Sequence, residues 1–180
     1  LLESSAPELA AQLRAIPYES VATVNAAFRR QDVTHPLHGF GFVAPAIERR
    51  QLIGCTFAHR KFAGRSPQGD VLLRAFVGGA LQPGLLELDN AHLERIILSE
   101  LRELLGIRAA PRLVMIHRFR QAMPQYHVGH IDRVAAIEQA ASRYPGLILT
   151  GNGYRGLGLP DCIRQAEAAA ERLIEFFDAP

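Results

Sequence analysis

Cysteine is scarce in this chain: only Cys55 and Cys162 occur among 180 residues. Two cysteines so far apart make no disulfide framework and fit a reducing compartment, so a cytoplasmic location is expected. No apolar stretch approaches the roughly 20 residues that a membrane-spanning helix needs. No basic-then-apolar opening marks a secretory signal. Peripheral association with a membrane surface stays open. Charge of one sign is also in short supply. The formal net charge of +2 is too near neutral to point to a nucleic-acid partner. Local basic pairs at Arg29-Arg30, Arg49-Arg50 and Arg60-Lys61 stand beside expected strand ends, where solvated loops account for them. Internal repeats and low-complexity segments are absent. So is an initiator methionine: the chain opens on Leu1, for which processing, cloning or an origin as the back half of something longer would each account.

What is present is an ordinary globular composition, 48% hydrophobic and 21% charged, enough for one domain or two small lobes. Pro7 and Glu8 open a helix over 7–15, and Pro17 ends it. Residues 18–28, rich in β-branched and aromatic side chains, read as a strand, and so do 39–45, 51–58 and 71–80. The glycines that alternate with Phe40 and Phe42 predict a strand with close backbone neighbours. A mainly antiparallel sheet over 18–80 follows. The clearest helix spans 89–105, with Asp89 as its cap, Leu93, Ile96, Ile97, Leu101, Leu104 and Leu105 on one face, and Gly106 as its end. A strand over 112–119, a helix over 130–143, a short strand over 146–150 and a last helix over 160–177 complete an α+β (α/β-like) chain.

The stretch GLILTGNGYRGLGLPDCI, residues 146–163, raises the chemical question. Glycines between an apolar run and a helix bring backbone close to a ligand and aim unpaired helix amides at it. Pro160 suits the first helical turn, and Asp161 complements the dipole there. A phosphate or an electron-rich carbonyl would find donors at this point. The loop lacks the Lys-Ser/Thr of a P-loop. Nor is it the first βα turn of a dinucleotide fold with GxGxxG in its standard place. A tight structural turn accounts for the glycines alone equally well.

The whole stretch GNGYRGLGLPDCI (151–163), ahead of an alanine-rich terminal helix, resembles the C-terminal flavin-binding segment of oxygen-dependent protoporphyrinogen oxidases. MPQYHVGH (123–130), GFGFVAP (39–45), LIGCTF (52–57), FVGG (76–79) and SVATVN (20–25) match the same family in order and spacing. Within the amine-oxidase-like flavoproteins, this family oxidises a porphyrinogen to a porphyrin in haem biosynthesis. FAD is the hydride acceptor and molecular oxygen the final one. The resemblance implies FAD contacts at Leu157, Gly158 and Leu159, a loop shaped by Asn152 and Gly156, and, from the segment before PQY that approaches the flavin, a contact at Arg118. It implies a porphyrinogen against an apolar sheet wall at Phe40, Gly41, Val43, Thr56 and Phe76. Such a wall would suit a large, flat, mostly apolar macrocycle; ordinary core packing is the competing account of the phenylalanines. Residues 1–145 would form part of the substrate lobe, and 146–180 the C-terminal segment of the FAD-binding domain. The N-terminal dinucleotide-binding unit would lie outside these residues. The chain alone is accordingly expected to bind FAD weakly or not at all and not to turn over. Phe119 stands where relatives often carry Trp. The choice between protoporphyrinogen, with two carboxylates, and coproporphyrinogen, with four, stays open, and so does homodimer formation.

Other readings carry less. His127 and His130 have ligand-like spacing, but no Cys or carboxylate cluster joins them, so no metal is expected. Cys162 sits at a helix start, where thiols can be activated; the resemblance packs it near the flavin instead. No catalytic acid or base is assigned, because flavin oxidation depends mainly on orientation. The alternative function is a stand-alone, non-catalytic module that binds a tetrapyrrole or a partner.

Overall fold

The computed structural model describes residues 2–178. Its elements are helix α1 (Pro7–Arg14), strands β1 (Tyr18–Arg29), β2 (Gly41–Val43) and β3 (Gly54–Phe57), a helical turn α2 (Ala58–Lys61), strand β4 (Asp70–Gly78), helix α3 (Asn90–Leu105), strand β5 (Leu113–Pro124), and helices α4 (His130–Ala141) and α5 (Leu159–Asp178). The strands form one five-stranded sheet in the order β2-β3-β4-β1-β5, and the β2–β3, β3–β4 and β4–β1 pairs are antiparallel. The expected α+β class with an antiparallel-rich sheet is what the fold shows.

Two compact units divide the chain. One joins Leu1–Tyr18 with Pro124–Pro180; the other is Glu19–Met123. The expected boundary at 145/146 falls within the first unit.

The second unit is built on alternation. Along β4, Val71, Leu73, Ala75 and Val77 are buried, whereas Leu72, Arg74 and Phe76 are not. Along β1, Ala22, Val24, Ala26 and Phe28 are buried on the same side. Against this face pack Leu93, Ile97, Leu98, Leu101 and Leu105 of α3, the stripe that three- and four-residue spacing predicts. Asp89 caps α3, accepting the His92 amide at 2.8 Å. Gly106 closes it at φ 59°, where an added Cβ would strike Thr34 Oγ1.

The first unit has a smaller core, in which Leu9, Ile16 and Ile137 join α1 to α4. Here the expectations are corrected. Residues 147–150 form no ladder, because no strand lies beside them among the described residues. The last helix buries no residue against its own chain among the described residues; Ile174 and Phe177 stay exposed. Strand bounds also shift. β3 is cut short at Phe57 by the turn α2, which takes up Arg60 and Lys61. β5 runs on to Pro124 through Gln121, whose φ of 44° is a kink that alternation does not announce.

Ile97 is fully buried between α3 and the sheet. Ile97→Ala is expected to cost about 2–5 kcal/mol, read as a lower urea midpoint at unchanged m-value.

Candidate functional site

The glycine loop is braced within the first unit by the tyrosine of the PQY motif. Tyr126 Oη donates to the Asn152 carbonyl at 2.7 Å and accepts the Gly156 amide at 3.1 Å. Its ring stacks on His130, with centroids 3.8 Å apart and planes 14° from parallel. His130 is 5% exposed, and its Nε2–H donates to the Tyr154 carbonyl at 3.0 Å. That bond assigns the ring proton to Nε2 and leaves the buried Nδ1 without a partner. One motif thus holds both ends of the 152–156 loop.

Further contacts fix the loop. Arg155 forms a two-pronged pair with Glu138 of α4, at 2.7 and 2.5 Å. These hydrogen bonds hold the Glu138 carboxyl below its ordinary range, the arginine charges help, and partial burial opposes them. Tyr18 Oη lies where a Cβ on Gly153 would sit. Burial raises the Tyr18 phenol, with Tyr126 adding to the shift, and burial likewise raises Tyr154. Gly156, at φ 131°, lies so close to the Asp161 side chain that a Cβ would collide with it.

At the start of α5 the amides of Asp161 and Cys162 both donate to the Gly158 carbonyl at 3.0 Å. The amides of Leu157, Gly158 and Leu159 make no hydrogen bond among the described residues, and Leu157 and Leu159 are exposed. Free amides at the positive end of a 20-residue helix fit an electron-rich group such as a flavin carbonyl edge. Asn152, Gly156, Leu157 and Gly158 stand in the loop, and Leu159 opens α5. Although the letters of 151–156 satisfy G-x-G-x-x-G, no strand enters the loop, so the dinucleotide context is missing.

The remaining expected residues lie in the second unit. Arg118 is on β5, its guanidinium donating to the Leu88 carbonyl at 2.6 Å and to Asn90 Oδ1. Val43, Thr56 and Phe76 share the sheet face opposite α3. Val43 pairs with Gly54, Gly54 with Phe76, and Gly41 with Thr56. Val43 is 77% exposed. Phe40 precedes β2 and is 65% exposed, whereas Phe42 turns to the core and meets Phe57 edge-on. Gly41 and Gly54 serve close strand approach rather than ligand room, since a Cβ on either would meet backbone of the paired strand at 2.2 and 2.6 Å. On β5, Leu113, Met115 and Phe119 alternate outward and are exposed, while Val114 and Ile116 pack on the core.

Sequence reasoning missed His130 as a brace and Arg74 on the open face. Only the place of Arg74 in an alternating strand could have signalled it. Cys55 is buried, its thiol pushed up to about 12 by burial. Among the described residues no group of three or more His, Cys, Asp or Glu could hold a metal ion, and no helix is long and apolar enough to cross a membrane.

This antiparallel sheet and glycine-loop helix are those of a flavoprotein family. The family model for flavin containing amine oxidoreductase matches residues 2–174, and the chain belongs to that family. Among its relatives, coproporphyrinogen III oxidase of Bacillus subtilis (strain 168) is 35% identical over 158 residues, covering 87% of this chain and 34% of its own. The mitochondrial protoporphyrinogen oxidase of Nicotiana tabacum is 28% identical over 167 residues, covering 91% and 33%. A crystal structure from Exiguobacterium sp. 255-15, provisionally named a protoporphyrinogen oxidase, superposes with a TM-score of 0.79 at 31% identity, covering 97% of this chain and 39% of that one. The chain spans about a third of the length of the curated relatives it matches.

Two predictions follow from the loop's bracing. Tyr126→Phe keeps the stack on His130 and removes the acceptor of the Gly156 amide, so Gly156 amide exchange should speed up about fivefold, given roughly 1 kcal/mol for that bond. Glu138 is expected to titrate below an ordinary glutamate in an NMR titration and to return to the ordinary range in Arg155→Gln. Because its folded pKa is depressed, the pair's stabilisation is present above the unfolded glutamate pKa and is lost as pH falls through the folded one.

Proposed function

We propose that this chain carries the porphyrinogen-binding sheet and the flavin-contacting loop of an FAD-dependent porphyrinogen oxidase of haem biosynthesis. The reaction would convert protoporphyrinogen IX or coproporphyrinogen III to the corresponding porphyrin. The observation that carries this reading is the open sheet face. Val43, Thr56 and Phe76 stand on it together, continued by Met115 and Phe119, in a chain whose relatives are named for porphyrinogen oxidation. A broad face on which apolar side chains stand beside polar ones such as Asn25, Thr56 and Arg74 suits a macrocycle with carboxylate arms better than a small amine.

Each group of residues then has a role. Phe40, Val43, Thr56 and Phe76 contact the macrocycle, with Gly41 holding β2 tight against β3. Leu157, Gly158 and Leu159 offer amides to the flavin ring, and Asn152 and Gly156 keep the loop in shape through Tyr126. Arg118 would act through the backbone of β5, its guanidinium being committed to Leu88 and Asn90. When bound, FAD supplies the two-electron acceptor for the oxidation, and molecular oxygen is the terminal oxidant. The protein's contribution is orientation and exclusion of water. Residues 1–145 would serve the substrate side and 146–180 the FAD-binding domain. FAD binding by these 180 residues alone should be weak, because no βαβ unit for its ADP half stands among the described residues.

The test is ligand preference in the complete gene product. A porphyrin should bind and quench, and benzylamine should not displace it. Phe76→Ala should weaken porphyrin binding about tenfold or more, given roughly 1.5–3 kcal/mol for burying a phenylalanine. Displacement by the amine, or amine turnover with no porphyrin binding, would overturn the reading.

A further inference from the structure

A single arginine stands in the middle of the open face. Arg74 lies on β4, the central strand of the five, with Thr56 opposite it on one side and Asn25 on the other. Its Nε donates to Asn25 Oδ1 at 2.8 Å, and no carboxylate pairs with it among the described residues. The neighbouring acid on β4, Asp70, is already taken by Arg112 at 2.8 Å. Asn25 thus fixes the Arg74 stem through Nε and leaves both terminal nitrogens of the guanidinium free. Those two nitrogens form the edge that meets a carboxylate in a two-pronged pair. Phe76, two residues along the strand, and Thr56 share this face.

We infer that Arg74 is a specificity-determining residue that takes a carboxylate arm of the tetrapyrrole and favours coproporphyrinogen over protoporphyrinogen. The inference rests on the reading of the open face as the porphyrinogen wall. A macrocycle lying on that wall covers Arg74, and a covered guanidinium without a partner is costly. A tetrapyrrole with carboxylate arms on all four rings presents one to Arg74 whichever edge lies there. One with arms on only two adjacent rings does so in only some orientations and otherwise lays an apolar vinyl edge over the charge. Discrimination therefore comes as much from the penalty on the wrong ligand as from the bond to the right one.

Fluorescence titrations of the complete gene product with coproporphyrin III and protoporphyrin IX test this. Arg74→Gln should raise the Kd for coproporphyrin about tenfold, as expected for losing one charge-assisted pair, and should tighten protoporphyrin binding, because its vinyl edge no longer covers a charge. Arg74→Lys should recover part of the loss, and the salt dependence of coproporphyrin binding should flatten in Arg74→Gln. Equal weakening of both ligands, or no change in either, overturns the assignment while leaving the porphyrin-binding face intact. If the unsubstituted protein binds neither porphyrin, the reading of the face fails, and the role of Arg74 fails with it.

Discussion

The antiparallel register of β1 against β4 decides what each face of the sheet presents. Val24 stands opposite Ala75 and Ala26 opposite Leu73, so the buried side closes over α3 without a polar intrusion. The other parity set, Thr23 opposite Phe76 and Asn25 opposite Arg74, is forced outward by the same pairing. A slip of one residue would drive Arg74 into the core and expose Leu73 and Ala75. The core's demand for a dry face thus creates the open face, and β2 and β3 extend it only because Gly41 and Gly54 let the strands close up. Residues far apart in sequence, from Gly41 to Phe76, thereby become neighbours across the sheet.

The glycine loop solves a different problem. Its glycines avoid steric conflict with Tyr18 and Asp161, but freedom from conflict does not fix a conformation. A glycine-rich segment has much conformational entropy to lose, and here the fixing is done from outside by Tyr126, by His130 and by the Arg155–Glu138 pair. Three groups on one short stretch and the helix after it therefore position the backbone that leads into α5. This gives the PQYxxGH stretch a physical role: a hydroxyl that bonds the loop at two points, and an imidazole that supports the ring carrying that hydroxyl.

Periodicity made much of this legible. The α3 stripe and its caps at Asp89 and Gly106, the alternation of β1 and β4, the helical start at Pro7 and, to within one residue, that of α5 all follow from local pattern. Grouping Asn152 with Leu157, Gly158 and Leu159 was also legible, because they are close in sequence. What local pattern does not encode is pairing across distance. The apolar letters of 147–150 look like a strand, yet a strand exists only where a partner meets it. The exposed Ile174 and Phe177 mark an amphipathic face whose sequence specifies burial without specifying against what. Arg118 could be placed on a strand from sequence, but not its attachment to Leu88 and Asn90, some 30 residues away. The Tyr126–Asn152 bond is hidden for the same reason.

Arg74 shows how a residue that costs nothing in the uncovered sheet becomes decisive once something covers it. In solvent its charge is hydrated and its bond to Asn25 is worth little, as for most exposed polar pairs. A flat apolar body laid on Val43 and Phe76 would remove that water, while the gain from covering the aromatic ring scales with area and hardly depends on what the body carries at its rim. The dewetted guanidinium does depend on the rim, because its desolvation is offset only by an anion within reach. On the proposed porphyrinogen wall, affinity would then be set by the apolar positions and selectivity by the Arg74 charge beside Phe76. The two properties belong to alternate residues of one strand, Phe76 and Arg74, held on the same side by the register that buries Ala75 between them.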